Sequence, residues 1–170
     1  KSFKSVKLSE TRHSDEKVIE VKDVSFKYSS RNKYALKNVS FDIHKGEKVS
    51  IIGKNGAGKS TVAKLICGII RPQSGEINIK GKNYINMSIS QIGRLVGYVM
   101  QNPNQMLVKD MIKDEIALTL TLNNFEQSVI DERVEKVLKM TGLYPMRNWP
   151  VSVLSYGQSK RITIASILVL

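Results

Sequence analysis

The segment Gly53-Lys54-Asn55-Gly56-Ala57-Gly58-Lys59-Ser60 has the spacing G-x-x-x-x-G-K-[ST]. It stands between the short apolar run Val49-Ser50-Ile51-Ile52 and a stretch from Ser60 to Cys67 whose apolar positions suit a helix. Strand, glycine loop and helix in that order leave few folds open. The glycines let the backbone curl so that its N–H groups face inward, and the helix that follows aims its unpaired amides and positive dipole end at the same point. A phosphate chain is the ligand that this geometry favours. Lys59 supplies a mobile positive charge for β- and γ-phosphates, and the Ser60 hydroxyl is suited to the Mg2+ that accompanies a nucleoside triphosphate.

The surrounding pattern predicts an α/β chain. Lys1 to Lys17 is polar and without periodicity, and reads as a tail or an inter-domain linker. Val18 to Val21, then Val24, Phe26 and Tyr28, then Val39, Phe41 and Ile43 read as strands of a small antiparallel sheet. Gly68 is expected to close the helix after the loop, Glu76 to Ile79 to form a further strand, and Val96 to Met100 another. Ile112–Leu122 and Phe125–Met140 have helical spacing, the second with Ile130, Val134, Val137 and Leu138 on one face. The neighbouring acids Asp110, Asp114 and Glu115 read as a helix start, since negative charge there complements the dipole. A last helix runs through Arg161, Ile162, Ile164 and Ile167.

Composition removes several alternatives. One cysteine, Cys67, in an apolar run cannot staple a fold and is expected to be a small buried hydrophobe; His13 and His44 stand far apart, with no zinc-ligand spacing. No apolar stretch approaches the roughly 20 residues that a membrane-spanning helix needs. A balance of 27 Lys+Arg against 15 Asp+Glu, formally +12, favours polyanionic partners. The basic residues are scattered and aromatics make up only 6% of the chain, so a nucleic-acid surface is not expected.

About a hundred residues after the glycine loop, Leu154-Ser155-Tyr156-Gly157-Gln158 resembles the L-S-G-G-Q signature of ATP-binding cassette (ABC) ATPases. Val99-Met100-Gln101-Asn102-Pro103 resembles that family's Q-loop, and Tyr28 stands where the family places an aromatic that stacks on adenine. The resemblance covers about Val18 to Leu170. It implies a phosphate-loop NTPase core with an N-terminal antiparallel β subdomain and a helical insertion over about 105–158. The implied ligands are ATP and Mg2+. By resemblance, Tyr28 stacks on adenine; Gly53, Lys54, Asn55, Gly56, Ala57, Gly58, Lys59, Ser60 and Thr61 bind the phosphates. Gln101 joins the Mg2+ shell with Ser60 and senses the transport partner. Ser155, Gly157 and Gln158 act in trans on the nucleotide of a second domain, which docks head to tail.

The same resemblance implies an ATPase of a transporter, placed in the cytoplasm on the inner face of the cell membrane. Its partners would be transmembrane subunits and a second ABC ATPase domain, homo- or heterodimeric or tandem in one chain. Gln101 to Gln105 with Asp114-Glu115-Ile116-Ala117 is similar to the energy-coupling-factor and cobalt-type importer ATPases, which implies uptake of a vitamin or a metal ion. Two departures stand out. Tyr156 replaces the first signature glycine, which is tolerable only where the backbone does not require a positive φ. The family's apolar strand ending in Asp-Glu and its switch histidine would lie beyond Leu170, so the native chain is expected to continue and the segment alone is not expected to hydrolyse ATP normally. Two other readings stay open at this point: a cassette segment that binds nucleotide without turnover, and a soluble ABC protein acting on ribosomes or nucleic acid.

Overall fold

The computed structural model describes residues 14–29 and 33–170, so His13 and most of the polar leader lie outside the described residues. The described chain divides into two compact units, one running to Val96 and the other from Gly97 to Leu170.

The first unit is built on an antiparallel sheet of β1 (Lys17–Phe26), β2 (Leu36–His44), β3 (Ser74–Ile79) and β4 (Lys82–Asn83) in the order β2-β1-β3-β4. The two runs read as separate from sequence, Val18–Val21 and Val24 onward, are one strand. A strict period of two would put Val21 and Val24 on opposite faces. Between them the register shifts against β2 and Asp23 takes φ 49°, so both side chains reach the core, at 4% and 1% exposure. Ser40 holds the irregularity: its Oγ accepts from the Asp23 N–H at 2.9 Å and donates to Asp23 Oδ1 at 3.2 Å.

Helix α1 (Lys59–Ile66) contributes Val62, Leu65 and Ile66, one face at i, i+3, i+4, to a core shared with Val21, Val24, Leu36, Ile77 and Ile79. Gly68 ends this helix with φ 69° and its N–H on Leu65 O, as expected from sequence. Tyr84 and Ile92, the latter on the short helix α2 (Ile89–Gly93), complete that core.

The second unit is helical. Helix α3 (Ile112–Leu122) has the predicted bounds, and α4 (Gln127–Met140) begins two residues later than the predicted Phe125. Ile112, Ile116 and Leu120 of α3, and the predicted face of α4, pack with Ile162, Ala165 and Val169 from α5 (Tyr156–Leu168) and its end. The start of α3 is tied down from the proline loop: Ile112 N donates to Trp149 O at 3.2 Å and Val151 N to Asp110 O at 2.7 Å. Trp149 is thus a loop anchor through its backbone, with its side chain half exposed.

Three strand expectations fail. Val49 to Ile52 pairs with no strand among the described residues, and its side chains are exposed, Ile52 at 92%. Val96 to Met100 likewise enters no ladder. Tyr28 lies two residues past the end of β1. A strand exists by virtue of a paired neighbour, and apolar alternation alone supplies none.

Candidate functional site

In the first unit the glycine loop leads directly into α1. Gly56 and Gly58 take φ 83° and 91°, a left-handed conformation that costs a side-chain-bearing residue about 1–2 kcal/mol. Gly58 is also fixed by space: a Cβ there would stand 2.7 Å from Ala35 O and 2.8 Å from Leu36 Cδ2, at the start of β2. The loop is therefore seated against the sheet by the absence of a side chain. At Gly53 a Cβ would come 3.3 Å from Ala57 Cβ, whereas Gly56 faces open space. The Ala57 N–H closes a turn on Lys54 O at 3.1 Å.

The helix start carries the features of an anion site. Gly58 offers no side chain as a cap, and the first turn of α1 holds no acidic residue. By contrast α2 and α5 each begin with a reciprocal Ser/Gln capping box. The first-turn amides of α1 thus depend on water or a ligand for partners. Lys59 Nζ reaches back across the loop and donates to Gly53 O at 2.7 Å and Lys54 O at 2.8 Å, so the charge is held at the loop mouth. Ser60 is exposed at the second position of the helix, Thr61 is buried, and Lys54 and Asn55 are exposed on the loop. This donor set of backbone N–H groups, one ammonium and one hydroxyl fits a phosphate chain. The Ser60 hydroxyl is one hard oxygen of the kind that Mg2+ takes; among the described residues no cluster of three His, Cys, Asp or Glu side chains could hold a metal ion.

Tyr28 is brought to the same helix. Its hydroxyl lies 3.3 Å from Thr61 Oγ1, and its ring meets Phe26 edge-on with centroids 4.8 Å apart. The ring is half-buried beside α1. Cys67 caps the end of α1 and is half-buried rather than the fully buried hydrophobe expected, because it sits at the helix end; the burial it has pushes its thiol pKa up, away from the reactive thiolate.

The second unit collects the other predicted residues. Ser155 is the N-cap of α5: its Oγ accepts from Gln158 N at 3.3 Å while its own N–H donates to Gln158 Oε1 at 2.8 Å. Gln158 Nε2 also reaches Met146 Sδ at 3.3 Å. Ser155 and Gln158 therefore lock each other at the helix start, a pairing that the S-x-x-Q spacing itself announces. Gly157 faces open space, so the N-terminal turn of α5 is accessible to an incoming group. Tyr156 is the first residue of α5 and is not among the positive-φ positions; the substitution for glycine is sterically free. Its hydroxyl donates to Gln101 O at 2.6 Å, which joins the signature to the segment carrying Gln101.

Glu115 is a residue whose role sequence reasoning missed. It does lie in the first turn of α3, as expected, but it is buried at 4% exposure and accepts from Val108 N at 2.9 Å and Lys109 N at 2.7 Å. Its carboxylate closes the loop ahead of its own helix. Only its own burial beneath that exposed loop distinguishes it from an ordinary dipole-complementing acid.

With this geometry in view, comparison with known proteins is specific. The chain is 53% identical over 153 residues to an ABC transporter ATP-binding protein of Enterococcus faecalis, covering 90% of this chain and 27% of the relative. It is 47% identical over 168 residues to one of Clostridium perfringens, covering 99% of this chain and 29% of the relative. The chain thus spans under a third of the length of these relatives. Among solved structures it matches cbiO1 of Clostridium perfringens, described as part of the ABC transporter complex cbiONQ, with TM-score 0.83 and 31% identity over 91% of this chain and 62% of that one. It also matches a dimeric ATP-binding cassette in a post-hydrolysis state with ADP and Pi, with TM-score 0.77 and 28% identity over 89% of this chain and 69% of the other. The family profile described as ABC transporter matches residues 36–170, from the first residue of β2 through the glycine loop and the signature helix, and the chain belongs to that family.

Proposed function

We propose that this chain is the nucleotide-binding part of a transporter ATPase that couples binding and hydrolysis of ATP to solute uptake. The observation that carries the reading is the Gly53–Ser60 loop, seated on the sheet through Gly58 and opening onto a helix start that no side chain caps. In this reading residues 18–170 form the nucleotide-binding domain with a helical insertion over about 105–158. The loop amides and Lys59 hold the phosphates, Ser60 gives Mg2+ a hydroxyl, Tyr28 offers its ring to adenine, and Gln101 serves the Mg2+ shell and senses the membrane partner. When bound, Mg2+ supplies charge neutralisation at the phosphate oxygens.

Ser155, Gly157 and Gln158 then serve a second cassette. The N-terminal turn of α5, capped by Ser155 but unobstructed at Gly157, presents its dipole to a γ-phosphate held by the other domain, so that closure depends on nucleotide. The partners are transmembrane subunits and that second domain, on the cytoplasmic face of a membrane. The solute class, a vitamin or a metal ion, is supported by the likeness to cbiO1 and by the stretch Gln101 to Gln105.

The separation of roles is testable in the polypeptide that carries this chain. Ser155→Arg places a cation and bulk at the signature, and is expected to lower ATP turnover by at least about tenfold while leaving MgATP affinity within about twofold. Equal losses in turnover and affinity would contradict a signature that acts on another domain's nucleotide.

A further inference from the structure

The segment bearing Gln101 is held by its own signature helix at two adjacent carbonyls. Tyr156 Oη donates to Gln101 O at 2.6 Å, and Lys160 Nζ donates to Met100 O at 2.9 Å. Tyr156 and Lys160 are four residues apart on α5, so they stand one turn apart on the same face. The segment is also braced within itself: Met100 N donates to Met106 Sδ at 3.2 Å, Asn104 N to Asn102 Oδ1 at 3.1 Å, and Met106 N to Pro103 O at 2.9 Å. A braced turn gripped at two consecutive carbonyls cannot slide along α5 without breaking both bonds.

We infer that Tyr156 and Lys160 are positioning residues that form a two-point latch, making the Gln101 segment and the signature start move as one body. The glycine-to-tyrosine departure at position 156 then has a purpose. The phenol reaches back to its own chain, so the turn of α5 that is proposed to face a second cassette also holds the Gln101 backbone. Loss of the latch would let the segment drift while the capping box of Ser155 and Gln158, which shares none of these bonds, keeps α5 intact. This inference rests on the proposed roles of Gln101 and the signature, but the latch itself can be read without nucleotide.

The test compares Tyr156→Phe, Lys160→Met and the double variant with the unaltered polypeptide, with Lys160→Arg as the conservative control. Amide hydrogen exchange without nucleotide is expected to accelerate about tenfold over residues 99–106 in the double variant, to stay unchanged over α4, and to return near the unaltered rate in Lys160→Arg. Steady-state kinetics should then show kcat for ATP reduced several-fold with KM within about twofold. Unchanged exchange over 99–106 in the double variant would overturn the latch, as would an equal increase over α4, which would mark a general loosening of the unit. Failure of MgATP to bind the unaltered protein would instead refute the nucleotide reading and leave the exchange result standing.

Discussion

Lys59→Ala is expected to weaken MgATP binding by at least about a hundredfold without lowering the stability of the fold. The residue is half-buried, and its side-chain partners in the structure are two carbonyls of the exposed loop, Gly53 O and Lys54 O, rather than core groups. Removing it therefore leaves no buried group unpaired. A triphosphate would replace those carbonyls with anionic oxygens, so that both partners of each bond are charged. Two such contacts at about 1.5–3 kcal/mol each correspond to a loss on the order of two to four powers of ten in affinity. Calorimetric titration of the purified polypeptide with MgATP checks the first part and urea unfolding the second. Affinity within about threefold of the unaltered protein would remove the phosphate-loop assignment.

Gly58→Ala should be nearly as damaging, for a different reason. The residue needs φ 91° and has the Ala35 carbonyl oxygen 2.7 Å from where a Cβ would stand. The obstacle is backbone, so relief requires moving the start of β2 or the loop itself. Conformational strain of about 1–2 kcal/mol adds to the overlap, giving an expected loss of at least about 2 kcal/mol in stability and more than tenfold in nucleotide affinity. Gly56→Ala is the internal comparison: its φ is 83° but its surroundings are open, so strain alone applies, about 1–2 kcal/mol. Equal effects at positions 56 and 58 would show that the loop is not seated against Ala35.

What could be read from the sequence, and what could not, follows the range of the interactions involved. The loop and the cap of α5 are local: Gly53 to Ser60 and Ser155 to Gln158 carry their geometry in spacings of a few residues, and α3 and α4 carry theirs in helical period. The runs Val49–Ile52 and Val96–Met100 have the right composition for strands, yet a ladder needs a partner that no local rule supplies. Val24 reaches the core only because Asp23 bends the strand, a bulge that alternation cannot forecast. The bond from Tyr156 to Gln101 spans 55 residues, so the departure from glycine was visible in the sequence but its use was not.

The most direct test of the central claim is an amide-resolved NMR titration of the polypeptide with MgATP. The account predicts saturable shifts confined in the first unit to residues 53–61 and Tyr28, with none in the Lys59→Ala variant over the same concentrations. A titration in which these amides stay in place while other residues of the protein respond to MgATP would contradict it.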